Sequence, residues 1–437
     1  MTGATATASP RSLRADIAGL REGTWTGAEY LSELCDRIDR VDPQVRAFIS
    51  EPDRRRRLLR TASESPPAAA DDPRSLHGIP IGVKDVIHVN GFTTRAGSAV
   101  PPEELQGDQA AAVSLLLADG AFIAGKTVTA EFAVTAPGPT RNPRGLGHTP
   151  GGSSSGSAAA VAAGMVPLAL GTQTIASVIR PAAYCGIVGF KPTYGRVAIG
   201  GVIANSPSLD TLGWFTAEVG DAAVAAAVLC GKWRSDIKVS RLPVLGIPDS
   251  RFLGEAGDDA RQAFGGHLGI LRDAGFPLRH STILSDFDEL AHCMFTINRW
   301  ELARTHLGWF ERHESDYRPE TAAVIRQGLK IVPEDYADAL RRKQDFTTRL
   351  AQAGEDAEVD VWVTPAATRT APAGLGSTGN SVMGLPFSLA GVPALTVPAG
   401  HDGGGLPWGL QCAGWTGQDE LILAFSAAVE SALGQAS

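Results

Sequence analysis

Three short stretches of this chain carry side chains that could act on a carbonyl group. The first is Gly171-Thr-Gln-Thr-Ile-Ala-Ser-Val-Ile-Arg-Pro181, where Ser177 follows an apparent polar turn and precedes Val178 and Ile179. A serine hydroxyl becomes a nucleophile once a neighbouring base takes its proton. Taken by itself, Ser177 reads first as a helix cap, a position serine favours. The second is Thr149-Pro-Gly-Gly-Ser-Ser-Ser-Gly-Ser157, which runs directly into the strong helix former Ala158-Ala-Ala-Val-Ala-Ala163. That context separates it from a flexible Gly/Ser linker. A glycine loop feeding a helix N-terminus points backbone N–H groups at an anion or a polarised oxygen. The third is Gly78-Ile-Pro-Ile-Gly-Val-Lys84-Asp85. A lysine closing an apolar strand can reach solvent. If buried, it loses its proton more readily, because desolvation disfavours the charged form, and it can then serve as a general base.

Two better-known patterns also match, each in the wrong setting. Gly152-Ser-Ser-Ser-Gly156 satisfies G-x-S-x-G with Ser154 at its centre. A nucleophile elbow requires an apolar strand immediately before it, whereas the preceding residues read as loop. His401, the histidine it could use, sits in a turn-like His-Asp-Gly-Gly-Gly. Gly120-Ala-Phe-Ile-Ala-Gly-Lys-Thr127 satisfies the P-loop pattern. That motif needs a phosphate-cradling loop between its glycines and a helix after it. Here Ala-Phe-Ile-Ala reads as a strand ending near Lys126, and the helix comes first.

The elements that must position these residues alternate. Leu13, Ile17 and Leu20 share a helix face, and Thr26-Gly-Ala-Glu29 reads as a capping box ahead of Tyr30, Leu34, Ile38 and Val41. Residues 66–73 read as a surface loop. Strands are expected at 79–83, 122–124, 188–190, 359–363, 394–397 and 409–412. Helices are expected at 113–117 and 157–163, and the apolar run 166–170 leads into the polar turn. Residues 232–250 read as a connection and 257–353 as mostly helical, with aromatics at Phe295, Trp300, Trp309 and Phe310. Such alternation implies an α/β domain around a mixed sheet. Residues 361–365 look like a strand ending at a site-facing loop.

Bulk properties exclude several classes. The 437 residues are ample for an extensive core, and 43% hydrophobic with 20% charged residues is a globular balance. The net charge is −8 with Lys and Arg dispersed, apart from Arg54 to Arg57, which reads as a solvated helix face; no nucleic-acid footprint results. The five cysteines (Cys35, Cys185, Cys230, Cys293, Cys412) are scattered and odd in number, so neither a metal cage nor a disulfide framework is expected. The first 13 residues lack an apolar signal core, and the most apolar stretch, 158–171, is too short to span a bilayer. A soluble cytoplasmic protein without membrane or nucleic-acid partners is the expectation.

Taken together, five ordered blocks resemble the amidase signature family, whose members use a Ser–cis-Ser–Lys triad. They are Leu76 to Asp85, Gly120 to Ala133, Pro150 to Ala160, Cys185 to Arg196, and the pair Gly391 to Pro398 and Gly405 to Gln411. The resemblance implies a large mixed, twisted β-sheet covered by helices on both faces. It carries the lysine onto Lys84, the bridging serine onto Ser153 and the nucleophile onto Ser177, 24 positions further on. It places the oxyanion hole on backbone N–H groups of Thr174, Ile175, Ala176 and Ser177, with Gly152, Ser154, Ser155, Gln173 and Arg180 in support. The chain departs from the family's GTDTGGSIR: Gln173 replaces an acidic residue that could pair with Arg180, and Ile175 and Ala176 replace glycines. Their backbone must then adopt φ/ψ values open to Ile and Ala.

The implied enzyme is a serine amidase that cleaves small amides through an acyl-enzyme. It could extend to carbamates (urethanes) and esters, and it needs no metal or cofactor. The expected organisation is one domain over 1–437. It has N-terminal helices (1–65), a signature core (76–230), a helical insert shaping the substrate pocket (about 250–353) and C-terminal strands with a helix (359–437). A small-molecule amide or carbamate is the expected partner, and the protein acts as a monomer or homodimer. A glutamyl-tRNA amidotransferase A-type subunit is the runner-up, disfavoured by the altered nucleophile segment and short chain. A P-loop nucleotide-binding protein and an inactive scaffold are the readings from other classes.

Overall fold

The lysine strand is buried at every position, as are the strands beside it. A strand in that setting reads as a continuous apolar run rather than an alternating one. The computed structural model describes residues 9–65, 72–248 and 250–435. The expected absence of a signal core concerns residues lying partly outside these (1–8), as does the loop expected at 66–73 (66–71). The strands are β1 (Pro80–Lys84), β2 (Phe122–Thr127), β3 (Leu168–Gln173), β4 (Val188–Lys191), β5 (Thr211–Thr216), β6 (Leu245–Pro248), β7 (Leu278–Ser281), β8 (Val361–Pro365), β9 (Ala394–His401) and β10 (Pro407–Ala413). They form one mixed sheet in the order β2-β1-β3-β5-β4-β9-β10-β8-β6-β7. β1 pairs parallel with β2 and β3, and β6 pairs parallel with β7 and β8; the five central pairings are antiparallel. Every residue of β1 to β6 and of β8 is buried, so helices cover both faces.

Three expectations are corrected. Gly171 to Gln173 is not a turn but the end of β3, because its backbone pairs with Thr211 to Gly213 of β5. The connection at 232–250 contains β6 and the mostly helical stretch contains β7, so each adds one strand to the sheet. β7 is the half-exposed edge, and its Leu-Arg-His-Ser carries no apolar run to mark it. Arg54 to Arg57 is only in part a solvated face. Arg57 donates to the carbonyls of Ile123 (2.7 Å) and Ala124 (3.2 Å) on the outer strand β2, and Arg54 lies over the Phe48 ring.

The N-terminal helices behave as their caps require. Thr26 and Glu29 form the reciprocal capping box of helix Gly27–Val45. The small-residue helix Ser155–Ala162 is buried along its whole length. Its residue types explain how close it lies: a Cβ at Gly156 would run into the Ala47 carbonyl and the Val128 backbone. Among the described residues no helix is long and apolar enough to cross a membrane.

Candidate active site

Lys84 ends β1 with its ammonium fully enclosed. Nζ lies 2.7 Å from Ser153 Oγ and 2.8 Å from Thr172 Oγ1 on the adjoining strand β3. Burial lowers its pKa from 10.5 to about 7, and the negative charge of Asp210 works against that fall. The lysine therefore spends much of its time neutral near physiological pH, with its lone pair available to Ser153. Asp210 is buried too, and desolvation raises its carboxyl to about 6. Thr174 Oγ1 (2.5 Å) and the backbone N–H groups of Asn205 (2.7 Å) and Ser206 (2.9 Å) hold it toward the ionised form.

Ser153 follows the one cis peptide bond among the described residues, Gly152–Ser153. Its neighbours have local duties. Ser154 Oγ donates to the Thr172 carbonyl (3.2 Å) and accepts from the Thr172 N–H (3.3 Å), and Ser155 Oγ donates to the Val128 carbonyl (3.3 Å). At the start of the helix that follows the glycine loop, the Gly156 N–H donates to the Val128 carbonyl at 2.9 Å. Neither pattern with the wrong setting survives. His401 is an exposed residue at the end of β9, and the residues between Gly120 and Lys126 lie mainly in β2. Lys126 pairs with buried Asp85 at 2.9 Å.

Ser177 lies between β3 and the short helix Ile179–Cys185, where it is 9% exposed and faces a cavity of ≈ 170 Å³. Thr174, Ile175 and Ala176 line the same cavity. Among the described residues no acceptor takes up the backbone N–H groups of these four residues. Unclaimed donors beside a nucleophile are what an oxyanion hole consists of. Neither Ile175 nor Ala176 has a positive φ, so the turn forms without its glycines. Ala176 finds room because the facing residue is Gly384, where a Cβ would sit 2.8 Å from the Ala176 Cβ and from the Ile175 carbonyl oxygen.

Gln173 and Arg180 fix this turn from either side. Gln173 Oε1 accepts from the N–H groups of Val178 (2.8 Å) and Ile179 (3.0 Å), while its Nε2 donates to Ser388 Oγ (2.9 Å). Ser388 Oγ in turn donates to the Ile175 carbonyl at 2.7 Å. Arg180 donates to the carbonyls of Gly152 (2.6 Å) and Gly379 (2.9 Å) and to Thr378 Oγ1 (3.2 Å). Lys84 and Ser153 are thus in direct contact, and Arg180 ties the Ser153 loop to the helix following Ser177.

The remaining wall comes from distant segments. Helix Phe287–His313 supplies Phe295, Asn298 and Arg299, and the loop after β8 supplies Thr378, Gly379 and Ser381. Of the aromatics noted in the sequence, Phe295 reaches the cavity. Trp309 and Phe310 pack around Phe132 and Tyr317, and Trp300 stacks on Tyr336. Asn205 and Asp210 escaped sequence reasoning, because a lone buried amide or carboxylate in a loop leaves no periodic signal. Among the described residues no three His, Cys, Asp or Glu side chains converge as a metal site.

Comparisons with known proteins point to one family and one fold. The family model described as Amidase matches residues 29–423. The A-type subunit of glutamyl-tRNA(Gln) amidotransferase from Roseiflexus sp. (strain RS-1) is 34% identical over 92% of this chain and 92% of its own length. A crystal structure of an amidase superposes with a TM-score of 0.87 at 31% identity, covering 97% of this chain and all (100%) of that one. The peptide amidase of Stenotrophomonas maltophilia shares the fold, with a TM-score of 0.79 at 24% identity over 97% of each chain.

Proposed function

The chain belongs to the amidase signature family of hydrolases acting on carbonyl–nitrogen bonds, and from that premise we propose that it hydrolyses small amides through an acyl-enzyme on Ser177. The observation that carries the reading is the 2.7 Å contact between fully buried Lys84 and Ser153, beside a cavity edged by Ser177. Neutral Lys84 takes a proton from Ser153 while Ser153 takes the proton of Ser177. Ser177 Oγ attacks the carbonyl carbon, and the N–H groups of residues 174–177 hold the oxygen that becomes negative. The proton returns through Ser153 to the departing amine as the carbon–nitrogen bond breaks. Water, deprotonated along the same route, then cleaves the ester. Each oxyanion donor contributes about 3 kcal/mol to lowering the barrier. Carbamates and esters present the same carbonyl and belong to the accessible range. All five cysteines are free and buried, which supports a cytoplasmic setting where thiols stay reduced.

The test is a panel of amides, carbamates and esters assayed with wild type, Lys84→Ala and Ser177→Ala, together with mass spectrometry after treatment with a fluorophosphonate. The expected result is a single adduct on Ser177 and loss of turnover in both variants. A Ser177→Ala protein that keeps the wild-type rate sinks the assignment. A second reading, an amidotransferase A-type subunit, rests on the 34% identical relative. Glutaminase activity that appears only with co-purified partner subunits distinguishes it.

A further inference from the structure

The cavity beside Ser177 is lined by two arginines and no carboxylate. Arg180 is 5% exposed, and its partners are two carbonyls and a hydroxyl, none of them charged. Its Nε is buried with no acceptor at all. Burial lowers its pKa only to about 10, so the guanidinium keeps its charge at neutral pH. Arg299 stands over the Phe295 ring, 5.2 Å from its centroid, and makes no ion pair among the described residues. A cation held out of water with only neutral acceptors is costly, and the cost falls when an anion arrives. Acidic groups nearby cannot supply that anion. Asp210, behind Thr174, already accepts on both oxygens, from Thr174, Asn205 and Ser206. With two cations and no carboxylate in the lining, an ammonium group would meet like charge and no counter-charge.

We propose that the amide taken by this cavity carries a carboxylate and no ammonium, the carboxylate being received by Arg180 and Arg299. This deepens the amide-hydrolysis reading and rests on it for the chemistry, though not for the binding. The cavity of ≈ 170 Å³ is well below the few hundred Å³ that hold drug-sized ligands, so a short acid is favoured. Arg299, whose guanidinium makes no hydrogen bond or ion pair among the described residues, presents paired donors at a carboxylate's spacing, while Arg180, already serving Gly152, Gly379 and Thr378, adds its positive charge.

The test compares kcat/KM of the full chain for matched pairs. Succinamate and N-butanoylglycine, with the carboxylate on the acyl and the amine part respectively, are set against butanamide; glutaramate is set against glutamine. One of the first two is expected to exceed butanamide at least tenfold, and glutaramate to exceed glutamine at least tenfold. Arg299→Gln is expected to cut these ratios at least fivefold, and Arg299→Lys to restore part of them. Independently, succinate is expected to raise the Tm of Ser177→Ala but not of Ser177→Ala/Arg299→Gln. Equal or better use of butanamide, preference for glutamine, or ratios untouched by Arg299→Gln overturns the proposal. If no amide is turned over, the Tm measurement decides: a shift lost with Arg299→Gln upholds the anion site while amide hydrolysis fails. No shift removes the site.

Discussion

Arg180 donates a 2.6 Å hydrogen bond to the carbonyl oxygen of Gly152, the residue before Ser153. One guanidinium thereby sets the spacing between the two serine-bearing segments. A lysine at this position carries a compact ammonium and cannot serve Gly152, Gly379 and Thr378 from one plane. Arg180→Lys is expected to lower kcat by about 100-fold, the usual cost of misplacing reacting groups by an ångström. Calorimetry should show a loss of about 1.5–3 kcal/mol for each charged hydrogen bond left unmade.

The acid limb of the rate profile should report Lys84. In the proposed relay its neutral form is the base, so kcat/KM is expected to rise with pH through about 7 and then level off. Asp210 favours the protonated lysine, so removing its charge releases the proton more easily. Asp210→Asn is therefore expected to move the limb to lower pH, measured across pH 5–9 in the range where these groups titrate. A limb that stays in place would separate Asp210 from the base.

Gln173→Ala leaves the N–H groups of Val178 and Ile179 without their acceptor. Each buried orphan costs about 1–3 kcal/mol, so the variant should melt earlier. The turn also loses its link through Ser388 to Ile175. Steady-state assays should show kcat falling by about tenfold or more, because transition-state stabilisation is what the turn supplies in the proposed mechanism. Gln173 acts here as a positioning residue, and KM should move less than kcat.

Gly384 is where the turn tolerates Ala176. Gly384→Ala places a Cβ 2.8 Å from both the Ala176 Cβ and the Ile175 carbonyl oxygen. Overpacking of this kind costs about 1–3 kcal/mol. Activity should fall with stability, and Ala176→Gly in the same chain should recover part of both. Recovery in Tm without recovery in kcat would show that the turn geometry was not what the clash disturbed.

Arg57 makes a contrast, because it serves the outer edge rather than the centre. Its guanidinium occupies the outward carbonyls of Ile123 and Ala124, which would otherwise offer the edge for pairing with another chain. Arg57→Met is expected to lower stability by about 2–3 kcal/mol and to increase aggregation in light scattering, with kcat/KM of the folded fraction unchanged.

Lys84, Ser153 and Ser177 could be singled out in the sequence as candidates because each sits in a short motif whose neighbours are dictated by close packing: glycines where backbones touch, apolar runs where strands are sandwiched. The alternation of helices and strands was legible for the same reason. β7 was hidden by its polar edge sequence, and the end of β3 by Gly171-Thr-Gln, a composition that a turn shares with a strand whose polar groups are used internally. The cavity wall was illegible for another reason. Asn205, Arg299 and Thr378 meet only through the tertiary fold, and no local pattern of charge or hydrophobicity links residues so far apart in the chain.

β9 and β10 are the last of the described strands yet lie in the middle of the sheet, between β4 and β8. While the protein is being synthesised, every residue proposed for the chemistry has left the ribosome long before these two strands exist. Until they emerge, the strands on either side face each other across a gap two strands wide, and neither half has a finished sheet to rest on. The chain must wait for its C-terminal residues before it can close. A chain cut before residue 394 lacks the two strands that join β4 to β8, and with them the continuity of the sheet.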